Sequence, residues 1–140
     1  MISLTKTTAL LMPVLFGISL AAHANETIGV TLDGMHEVPS TASMANGSGS
    51  FVVADDKTVS GSVHTSGIDG TMAHIHAGAM GKNGPPIITL SKGEGGTWNV
   101  PPASKLTDVQ YAALKAGELY VNVHSAANPG GEIRGQLTAK

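Results

Sequence analysis

Two histidines one residue apart, His74 and His76, stand in the stretch TMAHIHAGAMGKNGPP (residues 71–86), directly ahead of a turn rich in Gly and Pro. In an extended chain successive side chains project to opposite faces. Met72, His74 and His76 therefore share one face, while Ala73, Ile75 and Ala77 take the other. A His-x-His pair on a strand, completed by a third His from a neighbouring strand, presents ring nitrogens to one ion at about 2.0–2.1 Å. The pair alone fits two solvated or hydrogen-bonded histidines equally well, because exposed histidines are ordinary.

Further candidates come from the same alternation. The stretch ELYVNVH (118–124) puts Tyr120, Asn122 and His124 on one face and sends Val121 and Val123 into a core. In EIRGQL, Glu132, Arg134 and Gln136 stand opposite Ile133 and Leu137. His36 lies in DGMHEVPS beside Met35, a loop position that makes both candidate ligands, and His64 shares the face of Ser60 and Ser62 and reads as a surface residue. The choice of ion is narrowed by what the chain lacks. There is no Cys, so neither a disulfide nor a thiolate ligand is available. Met35 and Met80 each lie within four residues of a candidate His. Imidazole with thioether suits copper, Cu(I) above all, better than zinc.

Other chemistries find no footing. No strand–Gly-x-Ser-x-Gly–helix elbow and no triad spacing is present. The Gly-rich AGAMGKNGPP lacks the Lys-Ser/Thr ending and following helix of a phosphate cradle, so its glycines read as aids to a tight turn next to the histidines.

The elements that must position these residues are short strands. Apolar runs with period-two alternation recur at 27–33, 50–55, 58–64, 71–77, 87–90, 97–100, 118–124 and 132–138, nearly all separated by turn residues. Seven or eight such strands predict an all-β fold, an antiparallel Greek-key sandwich or small barrel. One short helix interrupts the series: Thr107 and Gln110 form a capping-box signature, DVQYAALKA is rich in helix formers, and Gly117 ends it, with Tyr111 and Leu114 facing the core. The helix reads as a plain connector.

Residues 1–24 carry Lys6, an apolar run from Ala9 to Ala22 broken by Pro13 and Gly17, and small residues ending at Ala24. That is the pattern of a secretory signal peptide rather than of a membrane span. The expected mature chain, 25–140, is one domain bound for the periplasm or the exterior, with no membrane association after cleavage. Lys6 accounts for one of eight Lys and Arg, so seven remain against ten Asp and Glu, a net charge of about −3. No basic stripe interleaves with aromatics, and nucleic acid is not an expected partner.

Three blocks resemble the CHRD domain, a family found in chordin and in many secreted bacterial proteins: DGMHEVPS, of the type G-x-x-E-V-P, then TMAHIHAGAMGKNGPPIITL, and finally GELYVNVHSAANPGGEIRGQL. Together they span essentially the whole expected mature chain. The resemblance implies an immunoglobulin-like or dismutase-like sandwich in a secreted module of poorly defined activity. Met35-His36 stands where many relatives have a polar residue ahead of Glu-Val-Pro. The chain is also similar to the copper,zinc superoxide dismutases in its His-x-His pair, later strand-end His and Gly-rich segment with Arg. That similarity implies His74, His76 and His124 as copper ligands and Arg134 as a group drawing an anion toward the metal. The zinc-binding loop and the cysteine pair of that family have no counterpart, which leaves a copper-only site.

The expected function is a secreted or periplasmic module that binds copper, with zinc a lesser fit, through His74, His76 and His124, with His36 or Met35 completing the shell. Two alternatives stand beside it. One is a structural or partner-binding β module without metal, and the other a copper-only dismutase-like enzyme. The balance leans away from an enzyme.

Overall fold

A computed structural model describes residues 25–140, so the expected signal peptide, residues 1–24, lies outside the described residues. Nine strands and one helix follow in chain order: β1 (Glu26–Asp33), β2 (Asn46–Val53), β3 (Val59–Ser66), β4 (Gly70–Ala77), β5 (Pro86–Thr89), β6 (Ser91–Lys92), β7 (Thr97–Asn99), α1 (Asp108–Lys115), β8 (Leu119–Ser125) and β9 (Ile133–Leu137). They form one antiparallel sheet in the order β5-β4-β8-β9-β1-β2-β3-β7-β6. Its two ends are β5 and β6, which are separated in sequence only by the buried Leu90. One stretch of chain thus serves both edges, and the sheet nearly closes into a barrel. Closure removes the exposed ladder groups that an open edge would present.

Inward-facing residues follow the predicted alternation. Ile28, Val30 and Leu32 of β1, Phe51 and Val53 of β2, Val63 of β3, Ala73 and Ile75 of β4, Val121 and Val123 of β8, and Ile133 and Leu137 of β9 form one apolar core. Trp98 of β7 fills the space over Gly70, where a Cβ would meet its ring at 2.8 Å. Leu114 of α1 is buried and Tyr111 half-buried against the same core. Thr107 caps the helix with the expected reciprocal bonds to Gln110, and Gly117 adopts φ 73° just past its end.

Most strand boundaries shift by one or two residues from the sequence expectation, and two differences go further. Strand β2 begins at Asn46, four residues before the apolar run, because Gly47 to Ser50 pair on both sides, with β1 and with β3. A Cβ on Gly49 would lie 2.1 Å from the Ser62 carbonyl oxygen, so this close approach requires the glycine. Ladder pairing overrides the low strand propensity of the Asn-Gly-Ser-Gly stretch. The run 87–90 is also divided, its last residue serving as the corner between β5 and β6.

Strand β8 is buried on both faces. Leu119, Val121 and Val123 face the core, and the outward Tyr120, Asn122 and His124 lie beneath loops 34–45, 78–85 and 126–132. A strand paired on both sides has thus acquired a second, polar interior.

Candidate metal centre

Register brings the histidines together. Strands β4 and β8 pair so that Met72 opposes His124, His74 opposes Asn122 and His76 opposes Tyr120. Directly opposed residues of an antiparallel pair stand on the same face with Cβ atoms about 4.5–5.5 Å apart. His74, His76 and His124 consequently converge, and one ring nitrogen from each lies within 4.8 Å of the others. The shortest approach is His74 Nδ1 to His124 Nε2, at 3.0 Å. On the other side of β4 the register against β5 shifts between Ile75 and His76, and Pro86 sits opposite His76. Such an irregularity re-aims the side chain next to it, and Pro86, the first residue of an edge strand, is tolerated there because that position requires no ladder N–H.

Two of the rings are locked by the loops above them. His76 Nδ1 donates to the Gly84 carbonyl oxygen at 2.9 Å, and His124 Nδ1 donates to the Pro129 carbonyl oxygen at 2.9 Å. A carbonyl oxygen only accepts, so each Nδ1 carries a hydrogen and each Nε2 of the neutral ring presents a lone pair. This is the arrangement that outer partners impose on ligating histidines. His76 Nε2 is buried without a hydrogen-bond partner. Burial and the neighbouring imidazoles His124 and His76 hold the pKa of His74 below its ordinary value. For His76 burial is the largest cause of a lowered pKa, opposed by its bond to Gly84. Both effects keep the rings neutral, the form that binds a metal.

Loop 78–85 is fastened by Arg134 and Gln136 of β9. The ring of Tyr120 stacks on His76 at 4.7 Å with the planes 2° apart, and the Arg134 guanidinium lies 3.4 Å from the Tyr120 ring centre. Because β8 runs between β4 and β9, Tyr120 is sandwiched between the two. Arg134 donates to the Ala79 carbonyl oxygen at 3.1 Å, to Gln136 Oε1 at 3.3 Å and to Asn83 Oδ1 at 3.4 Å. Gln136 donates to the carbonyl oxygens of Gly78 and Gly117. Arg134 is only 1% exposed, and its bonds to Ala79 and Asn83 brace the loop that carries Gly84. Loop 126–132 is tied down by Glu132, whose carboxylate accepts from Ser43 at 2.6 Å and from Ser125.

The structure does not bring His36 or Met35 to the three histidines. His36 is exposed in a turn, its Nδ1 bonded to Asp33 Oδ1 at 2.7 Å, and it lines a shallow groove with Met80, Thr31 and Gln136. Met35 is exposed as well. His64 is on the surface, its ring 3.4 Å from Thr97 Oγ1. Three polar groups at the site were not singled out by sequence reasoning, Glu37 and the carbonyls of Gly84 and Pro129, and Asn122 was placed on the histidine face without a role. The Glu-Val-Pro block was the only signal that could have pointed to Glu37.

A nearly closed antiparallel barrel with three histidines gathered beneath its loops defines a small β module with a prepared imidazole cluster. The family model described as the CHRD domain matches residues 28–137, and the chain belongs to that family. Neither the curated proteins nor the solved structures compared with it gave a match.

Proposed function

We propose that this CHRD domain is a metal-binding module whose ion, copper in preference to zinc, is held by His74, His76 and His124. The observation that carries the reading is the unpartnered, buried Nε2 of His76, in a ring whose other nitrogen is fixed by Gly84. Leaving a buried acceptor unsatisfied costs about 1–3 kcal/mol, a penalty that an ion removes. Nitrogens on one ion at 2.0–2.1 Å are roughly 2.8 to 4.2 Å apart, so the cluster, spread over at most 4.8 Å, needs little tightening. Binding would displace the hydrogen shared between His74 Nδ1 and His124 Nε2. Copper is favoured because three imidazoles without thiolate suit it and because it tops the affinity order of the divalent first-row ions.

In this reading His36 and Met35 stand outside the shell, and Arg134 braces the site rather than drawing an anion to it. A periplasmic or secreted location accords with the N-terminal segment. The test is a copper titration of metal-free protein. One equivalent should bind, His76→Ala should abolish stoichiometric binding with the β spectrum intact, and His64→Ala should bind like wild type. Unaltered affinity in single alanine variants of His74, His76 and His124 would refute the centre and leave a partner-binding β module.

A further inference from the structure

Asn122 stands on the same face as the three histidines, directly across β8–β4 from His74 and across β8–β9 from Arg134. It is 2% exposed, and an amide side chain at that depth normally has every polar atom satisfied. Only half of it is. Nδ2 donates to Glu37 Oε1 at 3.3 Å, whereas Oδ1 is buried with no partner. The one other unpartnered buried ring or amide atom among the described residues is His76 Nε2, and the β4–β8 register, which sets Asn122 across from His74, puts both on the same buried face. Two orphaned acceptors on one buried face are each costly until a positive charge or a donor reaches them.

The amide is held so that its oxygen cannot turn away. Glu37 is itself buried and takes up the NH2 end, fixing which end of the amide faces the rings. Loop 126–132 closes over this pair at Gly131, where φ is 128° and a Cβ would lie 2.4 Å from Glu37 Oε1 and 2.6 Å from Asn122 Nδ2. The cradle thus has Glu37 on the NH2 end, Gly131 packed against both, and an unpartnered oxygen on the face that carries the imidazoles. We propose that Asn122 Oδ1 is the fourth donor to the ion, held in place by Glu37, and that this oxygen makes the centre selective for divalent over monovalent copper.

The chemistry follows from ligand hardness. Cu(I) takes soft donors and is satisfied by two or three imidazoles, whereas Cu(II) gains from a fourth, oxygen donor in a tetragonal N,O set. An amide oxygen at this position therefore stabilises the oxidised ion with little effect on the reduced one. The inference rests on the three-histidine centre, and its test separates the two claims.

Cu(II) and Cu(I) affinities and the reduction potential of the bound ion are measured for the wild type and for Asn122→Leu, which keeps the volume and removes the oxygen. The expected result is at least a tenfold loss of Cu(II) affinity with Cu(I) affinity changed by less than threefold. A tenfold change confined to Cu(II) raises the one-electron potential by about 59 mV. Equal losses for both ions, or no loss, would overturn the role of Asn122 while the histidine centre stands. Absence of stoichiometric copper binding by the wild type would overturn both. If Asn122→Leu fails to fold, a crystal structure of the Cu(II)-loaded wild type decides: Oδ1 within about 2.0–2.6 Å of the ion supports the proposal, and Oδ1 beyond about 3 Å ends it.

Discussion

Replacing His76 by Phe separates a metal ligand from a structural histidine. The new ring retains the stack on Tyr120, since His76 and Tyr120 are parallel to within 2°. What disappears is the 2.9 Å bond from Nδ1 to the Gly84 carbonyl oxygen, worth about 0.5–1.5 kcal/mol net. That oxygen keeps a partner in Tyr120, whose hydroxyl donates to it at 3.4 Å. Also lost is the unpartnered Nε2, whose removal returns about 1–3 kcal/mol. The extra ring carbon in a buried site costs on the order of 1 kcal/mol of crowding. These contributions nearly cancel, so metal-free His76→Phe should match metal-free wild type within about 1 kcal/mol. The metal-loaded proteins should part: at a free copper concentration 100 times Kd the wild type gains about 2.7 kcal/mol, and the variant gains nothing. Denaturant unfolding of both proteins with and without copper reads the four states. A variant destabilised by more than about 2 kcal/mol without metal, yet still stabilised by copper, would show that His76 serves the fold and not the ion.

Arg134→Lys should cost about 2–4 kcal/mol, because an ammonium cannot reproduce the bonds to Ala79, Asn83 and Gln136 or the stack on Tyr120. For a domain of this size that lowers Tm by roughly 8–20 °C, and a melt within about 3 °C of wild type would dismiss the bracing role. Between about pH 6.5 and 4.5 the buried His and Glu groups of the metal-free protein make opposed contributions to stability. The pKa values of His74 and His76 are lowered in the folded state, so below the ordinary value of 6.5 the unfolded chain takes up protons first and stability falls as pH falls. Burial raises the pKa of Glu37, whose contribution is present below the ordinary 4.5 and is lost as pH rises through the folded value. Glu37→Gln should therefore steepen the loss of stability on acidification from about pH 6.5 to 4.5. Denaturant midpoints across that range check this, and a shallower slope than wild type would reverse the assignment.

The period-two pattern of the sequence is enough to assign faces. It places His74 with His76, Tyr120 with Asn122 and His124, and Arg134 with Gln136, and it places the valines between them in the core, because side-chain direction along a strand is a local property of the extended backbone. Thr107 and Gln110 determine where α1 begins for the same reason, since both partners of the capping box lie within one turn. The tertiary structure alone selects among the remaining histidines. His36, His64 and His124 look alike as residues, and only the pairing of β4 with β8 puts His124 across from Met72 and beside His74, while His36 closes a turn on Asp33 and His64 faces solvent. Cross-strand register depends on how the whole barrel closes, not on the spacing within either strand. Burial of the polar face is likewise a product of the assembled fold. Gly84, Pro129 and Glu37 reach the histidines and Asn122 from three separate loops, and what brings them there is the bracing of Arg134, Gln136 and Glu132, whose partners lie up to 91 residues away in sequence. Hydrogen bonds to backbone carbonyls leave no trace in side-chain identity, so the half of the site made by main chain could be read only from the folded molecule.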